Sequence, residues 1–158
     1  MSAFVIELAA LNQGRSRVEA RADASDLDLP QATWPEGVGA VLDVERSGDK
    51  VALVGRLSAL ARLECVRCLR SFDRMLEVGL TVFAERAVRS ARREEELLER
   101  DREMLFHDGR KLDLREEARE ALLLEFPMVQ RCSEDCKGLC LRCGADLNQG
   151  PHECPASP

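Results

Sequence analysis

The sequence predicts an α+β fold: an antiparallel β-sheet or partial barrel, one main packed helix, and a Cys-rich zinc-binding tail at the C-terminal end. Three observations predict it. Apolar residues recur at every second position through Val38–Arg46, Lys50–Glu64 and Phe72–Ala84, the period of a half-buried strand. One later stretch, from Leu114 to Leu122, switches to helical spacing and meets Pro127. Five of the seven cysteines then fall between Cys132 and Cys154.

The elements follow in order. Phe4 to Leu8 reads as a short strand, Asn12-Gln13-Gly14 as a turn, and Arg17 to Ala22 as a loosely alternating strand. Pro30 and Pro35 punctuate a loop from Asp26 to Gly37, and Trp34 within it is expected to plug one end of the core. Val38, Ala40, Leu42 and Val44 share one strand face. Ser47-Gly48-Asp49 then reverses the chain into Lys50–Glu64. A bend or bulge is expected near Leu63. Cys65 and Cys68 join this strand to the next, at a hairpin tip. Glu85 to Arg102 places arginines before glutamates and predicts an exposed helix with ion pairs a turn apart. Asp108-Gly109 is a turn. Asp113 is expected to cap a helix, with Glu116 reaching back. Leu114, Ala118, Ala121 and Leu122 form its buried face, extended by Leu124 and Phe126, and Pro127 ends it.

Composition bounds the function. A chain of 158 residues can bury a real core. The expected division is an α+β domain, 1–128, and a metal-stapled tail packed on it, 129–158. A formal net charge of -6 excludes a generic polyanion binder, so nucleic-acid contact needs a local patch. With no Tyr and one Trp, stacking platforms for single-stranded RNA are scarce. Met1 to Leu11 carries Glu7 and no basic lead-in, so it does not read as a secretion signal. No run approaches the roughly 18 apolar residues of a membrane span, and no membrane partner is expected. The expected compartment is the cytoplasm, where thiols stay reduced and close cysteine pairs serve metals rather than disulfides.

Tetrahedral structural zinc takes four Cys or His ligands. Eight candidates are present: Cys65, Cys68, Cys132, Cys136, Cys140, Cys143, His152 and Cys154. In chain order they make two sites, Cys65, Cys68, Cys132 and Cys136 tying the tail to the sheet, and Cys140, Cys143, His152 and Cys154 closing locally. A single ion on Cys65, Cys68, Cys140 and Cys143, or a local site on Cys136, Cys140, Cys143 and Cys154, competes with that allocation. Gly144 supplies the permissive backbone a knuckle turn often needs. In the two-ion scheme no position is open to substrate water, which marks structural rather than catalytic sites. The Cys136-x3-Cys140-x2-Cys143 spacing also serves iron–sulfur clusters of radical-SAM enzymes, which need a much larger barrel. A redox Cys-x-x-Cys wants a βαβ context instead of two antiparallel strands. His107 stands apart and is expected at the surface.

These residues resemble a known family. Leu63-Glu-Cys65-Val-Arg-Cys68-Leu69, Leu122-Leu-Leu-Glu-Phe-Pro127 and Cys132-x3-Cys136-Lys-Gly-Leu-Cys140-Leu-Arg-Cys143-Gly-Ala-Asp-Leu-Asn148 are similar to segments of the YceD family, also called DUF177. These are the large ribosomal RNA subunit accumulation proteins of bacteria and plastids. Leu141 stands where the family often has Pro, and His152 where it often has Cys. The resemblance implies a role in synthesis, processing or accumulation of large-subunit ribosomal RNA, as an assembly factor without catalytic activity. The implied partners are that RNA or its precursor particle, with ribosomal proteins or assembly factors.

The residues themselves offer one route to RNA. Three of the 23 basic residues are Lys (50, 111 and 137), so the other 20 are Arg. Arg62, Arg67, Arg70 and Arg74 flank the first Cys pair, and Lys137 and Arg142 the second. Arg forks onto phosphate and stacks on bases. The competing function is a zinc-stabilised protein-interaction adaptor that never touches RNA, using the acidic stretch Glu94–Glu103 or the tail. No Ser/His/Asp set or phosphate loop is readable, so no enzyme is expected.

Overall fold

The structure, a computed structural model, describes residues 4–87 and 104–154. Five strands form the main sheet: β2 (Gly14–Ala22), β3 (Val38–Ser47), β4 (Lys50–Glu64), β5 (Ser71–Arg86) and β6 (Met104–His107), in that spatial order. Neighbours from β2 to β5 run antiparallel, while β6 lies parallel to β5. A separate pair joins β1 (Val5–Glu7) to β7 (Lys111–Asp113). Among the described residues one α-helix, α1 (Arg115–Glu125), packs against β5.

Alternation explains the sheet. Odd residues of β4, from Val51 through Leu63, turn inward with only Gly55 short of full burial, and even residues of β3 and β5 meet them across the ladder. The opposite face stays open and carries Val54 and Phe83 half-exposed. No bulge occurs near Leu63. The β4–β5 register continues without a slip from Lys50↔Glu85 to Glu64↔Ser71, because Leu63 keeps the odd-numbered phase of the residues before it. The long hairpin therefore places Cys65 one residue past the last ladder pair, with Cys68 in the tip between Glu64 and Ser71.

The covered face is closed by α1, by Phe4, Ile6 and Leu8, and by the loop holding Leu27, Leu29 and Trp34. Trp34 is fully buried, as expected, with its ring 5.8 Å from that of Phe126. Leu114, Ala118 and Leu122 are buried and Ala121 is partly so. Leu124 points into solvent instead, since a helical step carries it off that stripe.

Other expectations need correction. Leu114, not Asp113, occupies the cap position of α1. Asp113 ends β7 and accepts from the Arg115 N–H, while Glu116 pairs with Arg119. Glu85 and Arg86 belong to β5 rather than to a helix, and the charged stretch 88–103, including Glu94–Glu103, lies outside the described residues. His107 is buried rather than superficial. The Gly109 N–H donates to its Nδ1, so Nε2 carries the ring proton and donates to the Asp49 carbonyl, 2.9 Å away. Short β6 and β7 escaped the pattern reading because three or four residues hold too few alternations.

Candidate metal centre

Two groups of four ligands form at the hairpin tip and in the tail. In each, the ligand atoms lie within 4.8 Å of one another. The first, here the bridging cluster, joins Cys65 and Cys68 to Cys132 and Cys136. The second, the tail cluster, joins Cys140, Cys143, His152 and Cys154. This is the chain-order grouping. The two mixed alternatives are not assembled among the described residues.

The two knuckles share one backbone design. The Leu69 N–H donates to the Cys65 carbonyl and the Cys65 N–H to the Arg70 carbonyl. In the tail the Gly144 N–H donates to the Cys140 carbonyl and the Cys140 N–H to the Ala145 carbonyl. The residue after the second cysteine turns left-handed in both, Gly144 at φ 74° and Leu69 at φ 59°. Glycine takes that conformation freely and leucine does not, so only the second knuckle signalled its turn in the sequence.

Sulfur spacing tests whether metal fits. Four sulfurs at about 2.3 Å from a central ion lie about 3.8 Å apart along each tetrahedral edge. In the bridging cluster Cys65 and Cys136, and Cys68 and Cys132, stand 3.7 Å apart. A disulfide would need about 2.05 Å, and all seven cysteines are free. The tail cluster is tighter. Cys140–Cys154 is 3.2 Å, Cys143–Cys154 is 3.9 Å, and His152 Nε2 lies 2.9 Å from Cys143 and 3.4 Å from Cys154. Three of these four separations fall inside the tetrahedral edges of about 3.5–3.8 Å for this donor set, and Cys143–Cys154 lies just beyond them. Both groups can hold a metal ion, and in both the four ligands complete the shell.

Burial separates them. Cys65, Cys68 and Cys136 are buried, whereas Cys143 is exposed and its cluster partners half-buried. Charge is poised in each. Burial pushes the Cys65 thiol up, but the N–H groups of Cys132, Cys68 and Arg67 outweigh it and hold the thiol at about 6. The Arg70 N–H favours the Cys68 thiolate, yet burial and the neighbouring sulfurs prevail and push it up to about 12. In the tail, the N–H groups of Arg142 and Cys143 draw Cys140 down to about 6, and the adjoining Cys140 sulfur pushes Cys154 up to about 12. Crowded sulfurs share protons because they cannot all ionise together; a dication replaces those protons.

The four arginines around the first Cys pair have partners within the chain. Arg67 donates to the Cys136 carbonyl at 2.6 Å, Arg70 reaches the Cys132 sulfur at 3.6 Å, and Arg74 donates to the Arg131 carbonyl at 3.4 Å. Arg62 forks onto Asp73. With the Val66 N–H on the Gln130 carbonyl at 2.8 Å, the contacts of Arg67, Arg70 and Arg74 lash the tail to the hairpin tip, while the Arg62 pair stays within the hairpin. Lys137 and Arg142 are exposed, and their side chains meet no hydrogen-bond or ion-pair partner among the described residues. The sequence reading missed Asn148, whose side chain reaches the Cys136 sulfur. Its place in the Asp146-Leu-Asn148 run after the second knuckle was the available signal.

Residues 53–158 match the family of the large ribosomal RNA subunit accumulation protein YceD. The chain belongs to the YceD family. The matched region starts within β4 and takes in both clusters. An uncharacterised protein of Mycobacterium leprae is 31% identical over 123 residues, which is 77% of this chain and 54% of that relative. An uncharacterised protein of Mycobacterium tuberculosis strain H37Rv is 31% identical over 124 residues, 72% of this chain and 55% of the relative. The chain thus spans about half the length of the curated relatives it matches. No solved structure matches it. The family is named for large-subunit ribosomal RNA accumulation, and no helix among this chain's described residues is long and apolar enough to cross a membrane.

Proposed function

We propose that this protein is a non-enzymatic, cytoplasmic factor for the synthesis, processing or accumulation of large-subunit ribosomal RNA, stabilised by two structural zinc ions. The family match over both clusters carries the reading. Cys65, Cys68, Cys132 and Cys136 hold one ion, and Cys140, Cys143, His152 and Cys154 the other. Thiolate-rich, four-coordinate donor sets favour zinc, and filled shells suit support rather than chemistry. The ions make residues 129–158 a stapled unit on the α+β body, 1–128.

Among the proposed RNA-binding residues, Lys137 and Arg142 are the two free to reach phosphate. Arg62, Arg67, Arg70 and Arg74 contribute only to the extent that they leave their present partners. Glu134, Asp135 and Asp146 lie in the same tail, so RNA contact is local rather than a broad basic face. The expected partner is the large-subunit precursor particle. Full-length protein should co-sediment with it, and Lys137→Glu with Arg142→Glu should abolish this while leaving bound metal unchanged. Unaltered sedimentation of that variant, with normal ribosomal RNA in a deletion strain, would refute the proposal.

The adaptor reading keeps one observation of its own. Leu141 and Met128 are fully exposed and Leu124 nearly so, an apolar display around the tail suited to a protein partner. Association with the particle that survives nuclease treatment favours it.

A further inference from the structure

Asn148 belongs to one cluster by sequence and touches the other in space. It lies between Cys143 and His152, within the loop that must wrap to close the tail cluster. Its Nδ2 group stands 3.5 Å from the Cys136 sulfur of the bridging cluster and 2.7 Å from Asp146 Oδ1. An amide NH2 has two protons, one for each. Its Oδ1 accepts the Lys137 N–H at 2.8 Å, and its own N–H donates to Asp146 Oδ1.

The backbone repeats the link. Leu147 N–H donates to the Gly138 carbonyl, and Leu139 pairs with Asp146. Residues 136–139 leaving one cluster are therefore bound to residues 145–148 entering the other. Gly138 makes the approach possible: it turns at φ 78°, and a Cβ there would sit 3.0 Å from the Arg67 carbonyl. Cys136 is thus held from two sides, by Arg67 on its carbonyl and by Asn148 on its sulfur.

We propose that Asn148 is a positioning residue that couples the two metal sites. Closing the tail cluster fixes the 143–154 loop and sets the amide on Cys136. That N–H···S bond fixes the Cys136 sulfur and aims it at the first ion, as hydrogen bonds to a metal ligand do in general. Each ion then binds more tightly when the other is present, by the same factor in both directions. The inference rests on the proposed metal binding, and the test separates the two.

The test loads full-length protein with cobalt(II) and titrates the metal away with a competing chelator. A four-sulfur site and a three-sulfur, one-nitrogen site absorb differently, so each is followed by its own band. His152→Ala, which cripples the tail site, should weaken cobalt at the bridging site roughly 5-fold or more, the ordinary lower scale of coupling. In an Asn148→Ala background the same change should have no further effect. Asn148→Asp retains the acceptor for Lys137 but loses the donor to sulfur, and should also uncouple the sites. Emission of Trp34 reports that the body remains folded, and the Asp variant decides if the Ala variant fails that check. Coupling that persists without the Asn148 amide, or that is absent from the parent chain, overturns the inference. Absence of either cobalt band from the parent chain overturns the metal reading itself.

Discussion

Replacing Cys136 with alanine should release the tail and spare the body. Four described polar contacts tie the tail to the hairpin tip: Val66 to Gln130, Arg67 to Cys136, Arg74 to Arg131, and Arg70 to the Cys132 sulfur. At about 1 kcal/mol each they contribute about 4 kcal/mol. Fixing the backbone of one residue costs about 1–2 kcal/mol, so these contacts offset the ordering of only about two to four residues. The tail has few buried apolar side chains to add, whereas a structural zinc ion contributes about 10–16 kcal/mol in small zinc-folded units. Losing a ligand therefore removes the dominant attachment. Trypsin sites at Arg131 and Lys137 should open. Where cleavage follows the population of the open form, each 1.4 kcal/mol is tenfold, and losing even 3 kcal/mol speeds cutting about a hundredfold. Meanwhile denaturant unfolding followed by Trp34, buried against Phe126, should keep a cooperative transition with its midpoint little changed. Tail cleavage no faster than in the parent, or loss of the Trp34 transition, would refute the reasoning.

Further predictions follow from the same geometry. Gly138→Ala should loosen the tail, since it forces a side chain into a left-handed turn at about 1–2 kcal/mol and against the Arg67 carbonyl; faster chelator extraction of metal checks this. Leu69→Gly should leave stability unchanged or raise it by up to about 1 kcal/mol, while Gly144→Ala lowers it by a similar amount, both read as denaturation midpoints. Leu122→Ala, in the fully buried face of α1, should cost about 2–5 kcal/mol by the Trp34 transition. Asp108 is held below the usual carboxylate range by the N–H groups of Lys111 and Arg110. A depressed carboxyl stabilises fully above its unfolded value, about 3.9, and loses that contribution as pH falls through its folded value. Calorimetry should thus show Asp108→Ala melting below the parent at pH 7, with the gap closing in acid below about pH 4.

Local pattern carried much of this protein's description. Period-two alternation marked β3, β4 and β5 nearly to their ends, because a sheet with one covered face imposes that spacing on every strand. Cysteines two residues apart announced knuckles, because a single turn suffices to aim both sulfurs. Other features depend on segments that meet only after folding. Cys65 and Cys136 are 71 residues apart, and which pair completes which shell is decided by where the hairpin tip and the helix exit converge. Arg67, Arg70 and Arg74 read as free cations in sequence, yet the fold turns them onto carbonyls and a sulfur, because the docked tail presents those acceptors. His107 looked superficial beside a turn until the β3–β4 reversal brought the Asp49 carbonyl to its ring. Spacing along the chain determines what a few neighbouring residues can do together, while the choice of distant partner belongs to tertiary packing.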